Sequence, residues 1–304
     1  MSIIINAWLI GCLFQFSVFG QSLNYNKHYT IACHNCYEEK DNRKIEDVFK
    51  FTTTIEIDIW DNSYLSGMVA NVAKSTKMDG DWYVKHRPDE KGNINCCGGT
   101  LGDCLKRLNT WSDKNPGHPV ITIFLDKKEN WSDANENRNP LDLDKLISSI
   151  FTRKKLYKPI DLLAARPNLK AAMAANCPEL NSLKGKFIFV ITDGSTQLNI
   201  PMISTPRTPL NEYLTERSTN GVCFVAPQIS TENEILNPAG FSLQNKENII
   251  FYNLAYEHSK LATVINAQSF LSRVFGSPET LESCKTLVND KVNFIAVDDY
   301  KIKL

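Results

Sequence analysis

Two apolar rhythms alternate along the chain. Short β-branched or aromatic runs recur at Tyr29–Cys33, Thr53–Ile59, Trp82–His86, Val120–Leu125, Phe187–Ile191, Val222–Val225, Ile249–Leu254 and Phe294–Val297, and predict strands. Between several of them the period lengthens to that of a helix. Leu101, Cys104, Leu105, Leu108 and Trp111 fall at i, i+3, i+4, i+7 and i+10 behind Thr100 as N-cap, with Asp103 in the first turn. Leu146, Ile147, Ile150 and Phe151 repeat the pattern. Leu281, Cys284, Leu287 and Val288 give a last apolar face, which Ser277-Pro278 is placed to open as cap and first helical residue.

Eight strands separated by helices, in a mature chain of about 280 residues, suit an α/β fold of one (β/α)8 TIM-type barrel better than an open sheet. The polar stretch Glu129–Asn139 and the Thr-, Pro- and Ser-rich stretch Thr192–Glu216 read as loops at the barrel rim, because strand-like runs resume beyond each. Residues 1–20 form an apolar block ending in small residues and followed by Gln21-Ser22, which predicts a secretory signal peptide cut near Gly20 and a single catalytic domain over residues 21–304. The first residues lack the usual Lys or Arg, and the competing reading is an uncleaved membrane anchor.

Composition narrows the partners. With 34 basic against 34 acidic residues, no global field draws the chain to nucleic acid, and any attraction to a lipid surface must be local. Removal of the leader takes Cys12 with it and leaves Cys33, Cys36, Cys96, Cys97, Cys104, Cys177, Cys223 and Cys284, an even set for which disulfides are the expectation in a secreted protein. Asn130-Trp131-Ser132 is a glycosylation sequon, usable in a eukaryotic source.

The candidate chemistry sits in the first third of the chain. Residues two apart in a strand face the same way, so Glu56 and Asp58 project together while Ile55, Ile57 and Ile59 project to the other side. Two carboxylates in a barrel mouth repel unless a cation neutralises them; a hard divalent ion does so, and Asn35 adds a neutral oxygen of the kind calcium accepts. His34 just past the first strand and His86 at the end of the third supply two imidazoles. Cleavage of a phosphodiester by a neighbouring alcohol needs a proton removed, phosphoryl charge stabilised and a proton delivered to the leaving oxygen. Two histidines and a cation cover those needs.

The order His34-Asn35-x-Tyr37, then Glu56-Ile57-Asp58, then His86 at a strand end, then Thr100-Leu101-Gly102-Asp103-Cys104-Leu105 and Trp111-Ser112-Asp113-Lys114-Asn115-Pro116-Gly117-His118-Pro119-Val120, resembles the calcium-dependent phosphatidylinositol-specific phospholipase C-like phosphodiesterases, the stand-alone bacterial type above all. The likeness is specific from about residue 28 to 130. It implies His34 and His86 as catalytic histidines, Glu56 as a further base, and Asn35, Glu56 and Asp58 as calcium ligands. Asp126 stands where the family usually places a longer acid and is the fourth candidate ligand. The implied substrate is a phospholipid or related glycerophosphodiester, with peripheral membrane contact. Cys33 and Cys36 replace the small hydroxyl residues that commonly flank the His-Asn pair, so a disulfide bracing that loop is expected. The accessory lipid- and calcium-binding domains of intracellular eukaryotic enzymes are missing from the pattern.

Lys127 and Lys128 are candidates for binding headgroup or phosphate against the plainer reading of solvated lysines, and Tyr252 is a candidate ring-stacking residue. His118 reads as a turn residue, His28 as a solvent contact, and Asp298-Asp299 either as polyol acceptors or as an ordinary cap. Two rival functions remain. A glycerophosphodiester phosphodiesterase typically begins with His-Arg-Gly, which His34-Asn35 does not continue into. A catalytically silent barrel that binds phosphorylated or sugar ligands has no use for an acid/base pair.

Overall fold

The computed structural model of the protein describes residues 23–38, 43–61, 80–86, 95–131, 138–193 and 209–304; the expected leader and Ser132 of the sequon lie outside them. Its strands are β1 (Thr30–Cys33), β2 (Thr54–Trp60), β3 (Tyr83–Val84), β4 (Ile121–Lys127), β5 (Phe187–Asp193), β6 (Cys223–Ala226), β7 (Phe251–Ala255), β8 (Leu271–Phe275) and β9 (Phe294–Val297). All but β3 run parallel, in the order β6-β5-β4-β2-β1-β9-β8-β7. The bridge Gln228–Asn253 joins the two ends, so the sheet is a nearly closed eight-stranded barrel with helices outside.

One column of β4 shows how the barrel is filled. Thr122, Phe124 and Asp126 alternate with the pleat on its inner face. Thr122 shares a 2.7 Å hydrogen bond with the Tyr25 hydroxyl, and Phe124 packs 5.2 Å, centroid to centroid, from Phe294, which stacks on Phe251. An aromatic plug thus occupies the lower barrel. Asp126, one pleat higher, opens the polar mouth at the C-terminal ends of the strands, the end where such barrels hold their chemistry.

Four expectations are corrected. Trp82–His86 is not a barrel stave: β3 is a two-residue strand clipped antiparallel to the end of β2, with Val84 opposite Ile59 and Tyr83 opposite Trp60. The eighth stave is β8, whose apolar run is broken by Ser272 and Arg273 because Arg273 faces an acid inside the barrel. The stretch 192–216 is not loop throughout, since Pro209–Arg217 is a helix that buries Leu210, Tyr213 and Leu214. The last helix also starts later than expected, at Leu281, with Thr280 as its cap. Glu279 is turned away instead, and its carboxylate accepts the backbone N–H groups of Asp298 and Asp299.

The helix Leu101–Lys114 has the expected start. The Thr100 hydroxyl accepts the Asp103 N–H at 3.3 Å and Asp103 accepts the Thr100 N–H at 3.2 Å, a reciprocal cap. Disulfides join Cys33 to Cys36 and Cys97 to Cys104, while Cys96, Cys177, Cys223 and Cys284 are buried thiols, so only half of the eight cysteines pair among the described residues. No helix among those residues is long and apolar enough to cross a membrane.

Candidate active site

Parallel pairing of β2 with β4 places Asp58 beside Asp126 and Glu56 one pleat below. Glu56, Asp58 and Asp126 are all buried, and each brings an oxygen within 4.8 Å of the others. Three carboxylates so close require positive charge. Two basic side chains supply part of it. Arg273 on β8 places Nη2 2.8 Å from Glu56 Oε2 and donates from Nη1 to Asn253 Oδ1 at 2.9 Å, with its guanidinium 5.3 Å from the centre of the Phe124 ring. Lys128, one residue past β4, sets its ammonium 3.0 Å from Asp58 Oδ2 and also bonds Asp126.

The imidazoles flank this cluster. His34 follows β1, with its N–H bonded to the Val297 carbonyl, and its Nε2 lies 3.3 Å from Glu56 Oε2. On its other side Nδ1 donates to Asp298 Oδ1 at 2.8 Å, which fixes the ring between two acids. The antiparallel turn of β3 brings His86 back toward the middle of β2, with Nδ1 3.3 Å from Asp58 Oδ2. The two rings stand 6.4 Å apart, nearly perpendicular. Asn35 has φ 53°, a left-handed conformation that asparagine tolerates, and the Cys33–Cys36 bridge spans this turn. Its Oδ1 accepts the Tyr37 hydroxyl at 3.2 Å, and its Nδ2 lies 3.0 Å from His34 Nδ1 and 3.4 Å from Asp298 Oδ1. Asn35 is therefore tied to the His34–Asp298 pair.

Charge states follow from these contacts. Burial pushes the Asp58 carboxyl up despite Lys128 and His86, whereas at Asp126 burial is outweighed by Lys128 and by the Thr192 hydroxyl, which donates at 2.6 Å, so its pKa is lowered. For His34 burial favours the neutral ring, but Glu56 and Asp298 together prevail and raise the pKa. His86 is raised chiefly by its bond to Asp58. Asp193, at the end of β5, is pushed up to about 7 by burial, with Asp126 adding to the effect.

Two expected substrate contacts are corrected. Lys127 points to the opposite face from Lys128, as strand alternation requires, and is fully buried against Asp61 at 2.7 Å and the Trp131 ring; burial lowers its pKa, and it cannot reach a headgroup in the mouth. Tyr252 is also fully buried, with its hydroxyl donating to the Ile235 carbonyl at 2.5 Å, so its ring offers no stacking face. Lys128 does stand in the mouth, but against the carboxylates. His118 is a buried turn residue, bonded to Ser112 and to the Pro119 carbonyl.

Arg273 and the Asp298–His34 contact had no reading in the sequence that led to them. A lone Arg between apolar residues in Leu271-Ser272-Arg273-Val274-Phe275 is the available signal for the first, and an acid ending the last strand for the second.

Known proteins share this sequence pattern and fold. A family profile described as Phosphoinositide phospholipase C, Ca2+-dependent, matches residues 71–219. A solved calcium-dependent phosphoinositol-specific phospholipase C from a Gram-negative bacterium, Pseudomonas sp., in a myo-inositol complex, is 30% identical, with 92% of this chain and 91% of that chain covered and a TM-score of 0.78. The chain belongs to the calcium-dependent phosphoinositide phospholipase C family. A Ca2+-dependent phosphatidylinositol-specific phospholipase C from Streptomyces antibioticus, 19% identical over 92% of this chain and 96% of its own, shares the fold with a TM-score of 0.73. No curated protein sequence matches. This phospholipase C is thus a phosphodiesterase of a calcium-dependent family, and the silent-barrel reading is set aside.

Its residues fit the ion. Glu56, Asp58 and Asp126 offer hard oxygens, and Asp58 Oδ1 is buried with no hydrogen-bond partner. A buried carboxylate oxygen left bare is costly unless a ligand takes it.

Proposed function

We propose that this phospholipase C is secreted and cleaves phosphatidylinositol, or a related inositol-bearing glycerophosphodiester, with His34 and His86 as its proton-transfer groups. The observation that carries the reading is the placement of two imidazoles 6.4 Å apart on either side of a three-carboxylate cluster. The myo-inositol in the Pseudomonas enzyme supports an inositol headgroup. The apolar leader and the two disulfides support export to an oxidising compartment.

In this reading a hydroxyl next to the phosphoryl group attacks phosphorus, and its proton passes to the Glu56–His34 pair. Asp298 holds the His34 ring so that Nε2 faces Glu56 and the mouth. His86, whose pKa the bond to Asp58 raises, donates a proton to the departing glycerol oxygen. A cyclic phosphodiester results. Calcium, when bound by Glu56, Asp58, Asp126 and Asn35, lowers the charge on the phosphoryl oxygens. Arg273 holds the Glu56 carboxylate in place through its own fixed contact to Asn253. The substrate lies in a bilayer, so the barrel mouth meets the membrane surface peripherally.

Release of inositol phosphate from phosphatidylinositol vesicles, with calcium and with chelator, tests the proposal. Calcium-dependent turnover should fall by about 10²–10⁴ in His34→Ala and in His86→Ala, the usual range for a proton-transfer group. Turnover retained in both variants would remove the two-histidine mechanism. Cleavage of glycerophosphocholine in preference to the inositol lipid would replace the substrate.

A further inference from the structure

The calcium site already contains a cation of its own. The Lys128 ammonium lies 3.0 Å from Asp58 Oδ2 and bonds Asp126 Oδ2, so it engages two of the three carboxylates that form the ion site. Its side chain is only 15% exposed. The main chain behind it is fixed, because the Lys128 N–H donates to the Ile59 carbonyl at 3.1 Å and extends the β2–β4 pairing by one residue. Strand alternation turns Lys127 outward and Lys128 inward, so the placement follows from the backbone.

The other groups facing the cluster are spoken for. Arg273 is committed to Glu56 and Asn253, Thr192 to Asp126 Oδ1, His86 to Asp58, and the Tyr37 phenol to Asn35. Three carboxylates against Arg273 and Lys128 leave one net negative charge before either histidine is counted. A divalent ion added to that arrangement would share two carboxylates with an ammonium at contact distance, and like charges at such range repel strongly in a poorly solvated site. Arg273 has no room to leave, since it is 2% exposed under the mouth. Lys128 is the cation on a long flexible stem at the rim, with the fewest fixed bonds.

We infer that Lys128 is a displaceable internal occupant of the calcium site, which calcium must expel in order to bind. The inference rests on the calcium site described above. Calcium binding is then an exchange of one cation for another. The lysine lowers the affinity below what the bare carboxylates would give, and it holds the mouth together when calcium is scarce. The expelled ammonium stays tethered at the rim, beside the position of the anionic diester.

Calorimetric titration of calcium into the chelator-treated protein, wild type and Lys128→Met, with thermal melts of both in chelator, tests this. The variant should bind calcium at least about tenfold more tightly and melt at a lower temperature than wild type without calcium. Equal or weaker calcium binding by the variant, with wild type binding normally, would overturn the role of the lysine and leave the calcium site standing. Absence of calcium binding in both proteins would overturn the site as well. Should Lys128→Met fail to fold, a crystal structure of the calcium-loaded wild type decides: the ammonium is expected beyond salt-bridge reach of both Asp58 and Asp126, and an ammonium still bridging them beside the ion would overturn the inference.

Discussion

His34 is held from both sides, by Glu56 at Nε2 and Asp298 at Nδ1. Because its pKa is raised in the fold above the ordinary value of 6.5, the Asp298 contact stabilises the calcium-free protein fully below that pH, and the stabilisation is lost as pH rises through the raised value. Asp298→Asn should therefore lower the melting temperature of the chelator-treated protein more at pH 6 than at pH 9. An equal loss at both would mean that the pair does not titrate as drawn. Motif order and the family resemblance together named His34, Asn35, Glu56, Asp58, His86 and Asp126, and the structure brings the two histidines against the three carboxylates. The sequence could not disclose direction. Lys127 and Lys128 look alike in sequence, yet one is sealed beneath Trp131 and the other stands among the acids, because a single pleat separates them.

Elements were readable where one face is apolar and the other polar. The helix Leu101–Lys114 shows both its period and its cap, and the β2 run declares itself by alternation. β8 was missed because its inner face carries Arg273 where the pattern calls for an apolar residue, and β3 was misplaced because a two-residue clip has the composition of a stave but not its partners. The helix Pro209–Arg217 was hidden by its polar surroundings, although Tyr213 anchors it. That hydroxyl donates to Asp144 Oδ1 at 2.6 Å and accepts the Cys223 N–H at 2.8 Å, so the helix, the preceding helical layer and β6 meet at one oxygen. Tyr213→Phe leaves a buried carboxylate and a buried amide short of a partner and should cost about 1–3 kcal/mol in urea unfolding. A variant as stable as wild type would mean that water replaces the phenol.

At the scale of the molecule, strand count, size and the absence of a second composition pointed to one barrel, and one sheet does run from Thr30 to Val297. An ion that binds only the folded mouth stabilises the whole chain. At a calcium concentration about 100 times its dissociation constant the gain is about 2.7 kcal/mol, so chelator should lower the melting temperature and calcium restore it, and a melt indifferent to calcium would count against the site. The barrel is least continuous between β6 and β7, where Asn253 carries the junction: its N–H donates to the Pro227 carbonyl, and its own carbonyl accepts the Ile229 N–H. The side chain of that same residue holds Arg273, which holds Glu56. Any local parting of the staves at this seam would loosen the floor of the mouth. Hydrogen–deuterium exchange at the Ile229 and Asn253 amides should then slow when an inositol phosphate fills the mouth, which would make the far side of the barrel a reporter of occupancy.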